Sequence, residues 1–192
     1  MRVNKLYIIS SCLAIVLFTV GCSAHLSFDE LTKDVPANLN TRTYSSSKMN
    51  YSISIPKTSE LVEKEYNDTT GYDLYIDTLM EFEKGASMLS VYKYHSAETV
   101  LEKEWNKLTS NRQLIEDFRI YSEGVTDFLS VPAYYEHSVC TISKKNTETI
   151  SFLFRGDASI FYLMSLQVIT EEGYPDNMQK LLYCAKTIKI LP

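Results

Sequence analysis

Four cysteines, three histidines and a few paired carboxylates are the residues of this 192-residue chain that could do chemistry. A thiolate is the nucleophilic form of cysteine. Cys22 stands directly after the small residue Gly21, where a peptidase could approach the bond between them closely. Cys12 lies in the same leading segment, and Cys140 and Cys184 lie far apart in the second half. The last two either close a disulfide or stay as buried thiols that behave like small apolar residues. His95 and His137 with Glu136 would offer nitrogen and oxygen ligands, and His25 is the third histidine. No Cys-x-x-Cys or Cys/His zinc spacing accompanies them, so neither a metal nor another cofactor is expected. There is no His-Glu-x-x-His, Gly-x-Ser-x-Gly, P-loop, Gly-x-Gly-x-x-Gly or calcium-loop pattern, so no catalytic residue is expected and the chain does not read as an enzyme. Asp73 and Asp77 share one side of a period-two segment and read as a solvated strand face.

Aromatic residues carry more information. The chain has 14 Tyr and 8 Phe, and Tyr92, Tyr94, Tyr134 and Tyr135 fall in segments of strand character. Adjacent Tyr134 and Tyr135 must point to opposite faces of a sheet. An exposed tyrosine gives a stiff, large contact area at low entropic cost, so these four are the candidate partner-binding residues.

The segment in front of Cys22 explains where such a domain would work. Arg2 and Lys5 precede an apolar run over residues 6–20 that contains no charge. As a helix it would span about 22 Å, short of the ~30 Å hydrocarbon core of a bilayer. That is the shape of a secretory signal. Thr19-Val20-Gly21-Cys22 resembles the lipobox of bacterial lipoproteins. The resemblance implies that the Cys22 thiol takes a diacylglycerol and that residues 1–21 are then removed. Two or three acyl chains, at about 0.8 kcal/mol per buried CH₂, would hold the protein to a membrane. The resemblance places the domain outside the cytoplasm, on the cell membrane or the outer membrane. The chain carries a net charge of −5, and −7 without Arg2 and Lys5. Surface charge therefore does not attract it to anionic headgroups, and no nucleic acid is expected as a partner.

Three parts follow from this reading: a signal over residues 1–21, a lipidated flexible tether over residues 22–50 with one helical turn near Phe28, and a domain over residues 51–192. In the domain, Tyr51, Ile53 and Ile55 alternate with serines up to Pro56, the pattern of a half-buried strand. Strands are expected over residues 72–82 and 88–94. Ala97, Val100, Leu101, Trp105 and Leu108 then fall on one helical face, with Ser96 as N-cap. Further strands are expected over residues 114–123, over 128–143 with an interruption at Pro132, and in a hairpin over 147–155 and 160–170 that turns at Gly156-Asp157. After Pro175, Met178, Leu181, Leu182, Ala185 and Ile188 make a second helical stripe. Glu60, Glu63 and Glu65 read as a solvated edge or loop. Consecutive strands from 114 to 170 exclude a doubly wound parallel sheet, so the class is α+β.

The Ser54-Ile55-Pro56 strand end, the helix after His95-Ser96 and the Ser130-Val131-Pro132-Ala133-Tyr134 segment resemble the PsbP-like proteins. That group includes the extrinsic photosystem subunit, the DcrB-type bacterial lipoproteins and the Ran-binding Mog proteins. The resemblance covers about residues 51–191. It implies an α/β/α sandwich with a mostly antiparallel six- to seven-stranded sheet and two main helices. It also implies a non-catalytic accessory or protein-interaction role, here with an unknown envelope protein as partner. The alternative is an envelope lipoprotein that binds a small ligand or a metal.

Overall fold

The computed structural model describes residues 27–36, 38–67, 73–82, 85–170 and 176–192, with side chains described outside 63–86. The described residues begin with a single helical turn, α1 (Phe28–Leu31). Five strands follow: β1 (Thr41–Ser46), β2 (Tyr51–Pro56), β3 (Glu60–Asn67), β4 (Asp73–Phe82) and β5 (Gly85–His95). Helix α2 (Leu101–Thr109) leads into β6 (Arg119–Phe128), β7 (Val131–Ile142), β8 (Lys145–Asp157) and β9 (Ile160–Ile169). Helix α3 (Asp176–Lys186) and the short β10 (Lys189–Ile190) end it.

Among the described residues the strands form two antiparallel sheets. The main sheet has seven strands in the order β3-β4-β5-β9-β8-β7-β6, and the small one has the order β1-β2-β10. Strand alternation divides the main sheet into two faces. Val91, Met164, Phe152 and Tyr135 stand in register across one face and bury themselves under α3 and the small sheet. Tyr92, Leu163, Leu153 and Tyr134 stand in register on the other face, where α2 lies. The class is α+β, with a helix on each side of an antiparallel sheet.

The strongly periodic segments form as expected. Tyr51, Ile53 and Ile55 are buried from β2, and Met178, Leu181, Leu182 and Ala185 are buried from α3, followed by Ile188. Elsewhere the chain departs from expectation for identifiable reasons. Residues 27–50 are not a tether. Phe28 is buried in the main core, and Thr41–Ser46 pairs along the whole of β2. Its sequence TRTYSS has too little alternation to announce a strand. Helix α2 starts at Leu101 and not after Ser96, although Ser96 Oγ accepts from the Glu98 N–H at 3.1 Å. The same Oγ donates to the Glu104 carboxylate at 2.7 Å, and the Glu98 carboxylate accepts from the backbone of Thr99 and Val100. Leu101 and Trp105 face the sheet, while Val100 and Leu108 are exposed.

Leu114 does not open a strand. It lies in a 3-10 turn (Arg112–Leu114) and is 79% exposed. The expected strand over 128–143 is instead a strand end, a turn and β7. Leu129 and Ser130 both have positive φ, 54° and 66°, and so do Ser143 and Lys144 at 52° and 66°. These are two-residue hairpin turns of the primed type, built without the glycine that usually marks them. The last hairpin turns at Ala158-Ser159, two residues beyond the expected place. Gly156 sits in a bulge there, and a Cβ at that position would run into the ring of buried Tyr162. The expected first-helix residue Pro175, and Tyr72, lie outside the described residues.

Candidate functional site

The four candidate tyrosines divide as strand alternation requires. Tyr135 is fully buried in the main core, so it is not a surface residue, and that expectation is corrected. Tyr92, Tyr94 and Tyr134 share the α2 face and are half-buried. Tyr134 stacks on Trp105 at 6.0 Å and 23°, and Tyr94 stacks on Phe161 at the same spacing and angle. They seat helix α2 more than they present area to a partner. Burial, followed by the nearby Glu104 carboxylate, pushes the Tyr94 phenol well above its usual range. Burial and Glu102 raise that of Tyr134.

Beyond α2 the same face turns polar. Ser90, Ser165, Ser151, Glu136 and Glu123 are in register across five strands. Two carboxylates directly opposite each other repel unless a cation joins them. Arg112, from the turn after α2, does so. Its Nη1 donates to Glu123 Oε2 at 2.5 Å and to Glu136 Oε2 at 2.8 Å, and Nη2 donates to Glu123 Oε1 at 3.3 Å. Ser138 Oγ donates to the other oxygen of buried Glu136 at 2.9 Å. Partial burial works against the Arg112 charge, but the two carboxylates more than offset it and raise its pKa. Beside this cluster is a cavity of about 580 Å³ lined by Arg112, Gln113, Ile115, Asp117, Phe118 and Ile120, among others. Near it Leu114, Ile115 and Ile120 are exposed, and Tyr121, exposed as well, lies on the opposite face with His137.

The expected grouping of His137 with Glu136 does not occur, because neighbours in a strand face opposite sides. His137 turns to Glu148, with Nε2 2.5 Å from Oε1, and the ring of Tyr121 packs edge-on against it at 5.1 Å. His95 is at a strand end near Ser159. Among the described residues no group of three or more His, Cys, Asp or Glu could hold a metal ion. Asp73 and Asp77 lie in β4, Cys22 and His25 precede the described residues, and the side chains of Asp73 and Asp77 lie outside them.

Cys140 and Cys184 are both free and buried, which corrects the disulfide expectation. The reason is topological. Cys140 is an odd number of positions from Tyr135 along the unbroken β7–β8 register, so it faces away from the main core, whereas Cys184 on α3 is inside that core. The sheet separates them. Burial pushes the Cys184 thiol up from 9.0 to about 12. Once unfolded, the thiol ionises near pH 9, so folding gains from the retained proton below that pH and loses the gain as pH rises toward 12. Stability should therefore fall above pH 9. A Cys184→Ala variant should show a slope shallower by about 1.4 kcal/mol per pH unit in urea titrations between pH 9 and 11. Equal slopes would show that the thiol ionises freely in the fold.

No family model matches the chain, and no curated protein matches it. Solved structures do. The cyanobacterial PsbP of Synechocystis sp. PCC 6803 superposes with a TM-score of 0.54 at 13% identity, covering 80% of this chain and 94% of that one. The fold is PsbP-like. LpqN of Mycobacterium tuberculosis, described as involved in cell envelope biogenesis, matches the PsbP-like domain with a TM-score of 0.52 at 8% identity, over 86% of this chain and 98% of its own. A protein of Bacteroides thetaiotaomicron VPI-5482 matches with a TM-score of 0.46 at 12% identity, and this chain spans about 50% of its length.

Proposed function

We propose that this chain is a lipid-anchored envelope protein whose PsbP-like domain is a non-catalytic interaction module. In this reading Cys22 takes the lipid, as in DcrB-type lipoproteins, and residues 1–21 are removed. The observation that carries the interaction role is the contrast around Arg112. The polar groups there satisfy one another, whereas the apolar side chains Leu114, Ile115 and Ile120 near them meet solvent. Exposed apolar side chains ringed by polar ones are the composition of a protein-contact surface. The partner is an envelope protein, and anchoring raises its effective concentration. Envelope biogenesis as the described role of LpqN supports the setting. Among the described residues no helix is long and apolar enough to cross a membrane.

A Cys22→Ser variant expressed in a bacterial host should lose metabolic labelling by a fatty acid and should keep its leader. Continued labelling would end the lipoprotein reading. For the interaction role, Leu114→Asp and Ile115→Asp should abolish crosslinking to the partner in isolated membranes while thermal unfolding stays unchanged. A second reading, small-ligand binding, is favoured only by the cavity beside Arg112, whose volume lies in the range of ligand sites.

A further inference from the structure

The point at which the chain joins the domain fixes which end of the domain meets the membrane. Phe28 is clamped to one end of the main sheet. Its backbone N–H donates to Thr126 Oγ1 on β6 at 2.9 Å, in a buried bond. Its ring meets Phe128 edge-on at 4.7 Å and Phe152 at 5.3 Å. Ser27 and Glu30 form a reciprocal capping box that secures this first turn. Thr126 pairs with Ala133, and the turn Leu129-Ser130 closes the same hairpin a few residues on. Six peptide steps separate Phe28 from Cys22. Fully extended they reach about 20 Å.

The opposite end of the sheet is the Ser143-Lys144 turn. From Ala133, beside the clamp, β7 runs nine residues to Ile142, about 30 Å. If that turn rested on the bilayer, Phe28 would stand farther from it than the leash can reach. The leash permits the clamped end, and not the other, to approach the bilayer, and the clamped end carries exposed apolar side chains that could enter it. Val125, Leu129 and Val131 are 41%, 37% and 37% exposed around the β6–β7 turn. Asp127, between them, is exposed as well, so anionic headgroups would not draw this end in by charge.

We infer that the β6–β7 turn, with Val125, Leu129 and Val131, is a lipid-contacting surface that lies in the headgroup region when Cys22 is acylated. This rests on the lipoprotein reading. The domain then stands upright, with the exposed residues Leu114, Ile115 and Ile120 at the far end of β6 turned away from the bilayer toward a partner.

The test uses full-length lipidated protein in vesicles of phosphatidylcholine and phosphatidylglycerol, with a fluorophore on a cysteine introduced at Ser130 or at Lys144. Cys140 and Cys184 are buried, so the new thiol is the one that labels in the folded protein. A nitroxide-bearing lipid headgroup should quench the Ser130 probe several-fold more than the Lys144 probe, and Leu129→Ser with Val131→Ser should reduce the difference while leaving the protein membrane-bound. Equal quenching, or stronger quenching at Lys144, in protein shown by mass to carry lipid would overturn the orientation and leave the anchor intact. A Cys22 that carries no lipid would overturn both.

Discussion

Replacing His137 with Phe should lower the unfolding free energy by about 1–3 kcal/mol, the scale for leaving a buried polar group without its hydrogen-bond partner. Glu148 has a side chain only 5% exposed, and His137 Nε2 is 2.5 Å from its Oε1. Its other oxygen is buried and already has no hydrogen-bond partner among the described residues. Phe keeps the ring that Tyr121 packs against and removes the nitrogen, so the change isolates the polar contact. The second half of the expectation discriminates more sharply. Glu148 stands in register between Val139 and Val168. Methionine there would enter an apolar surrounding, and replacing both partners of a buried polar contact by apolar groups of similar shape can be nearly neutral. The double variant His137→Phe, Glu148→Met should therefore recover most of the loss in urea denaturation. A double variant as unstable as the single would show that His137 acts through shape and not through the carboxylate.

This pair also illustrates what the sequence conceals. Glu136 and His137 are neighbours in the chain, and a reading by proximity couples them. Strand alternation sends them to opposite faces, so each finds a partner elsewhere: Arg112 and Glu148. The same alternation was legible at Tyr134 and Tyr135, because two adjacent aromatics state the problem openly. What hid the Arg112 cluster was a turn. Had Leu129-Ser130 been read as a two-residue turn, Glu123 and Glu136 would have fallen opposite each other, and the need for a cation would have followed. Neither residue is Gly or Asn, and the positive φ values are imposed by the paired strands on both sides. The second turn, Ser143-Lys144, is equally silent in sequence. By contrast β2 and α3 were legible because each has one buried face with a clean period, two residues in the first and 3.6 in the second. β3 was not, since an edge strand rich in Glu and Lys carries no such pattern, and charge on an edge is what discourages pairing with a further strand. The disulfide question turned on which face of β7 Cys140 occupies, which is a matter of register that spacing alone does not contain.

Phe28→Ala should cost about 3–5 kcal/mol, the range for emptying a buried phenylalanine site. A residue in a flexible tether would give a change within about 0.5 kcal/mol. The difference follows from its contacts. The ring is 5% exposed, lies within 4.7 Å of Phe128 and 5.3 Å of Phe152, and closes the end of the main core. Alanine would leave a void that Phe128 and Phe152, both fully buried and stacked on each other, cannot readily fill. The urea midpoint should fall with an unchanged slope, as for a loss of stability without a change in the surface exposed. The variant should act at the membrane as well. With α1 released, the first fixed point of the chain becomes β1 at Thr41, and the leash from Cys22 lengthens to about 65 Å at full extension. That length exceeds the sheet, so neither end would be held at the bilayer, and the contrast in quenching between Ser130 and Lys144 should disappear while the lipid still binds. An unchanged midpoint would mean that residues 27–31 are not part of the folded unit in solution, and the upright orientation would fall with them.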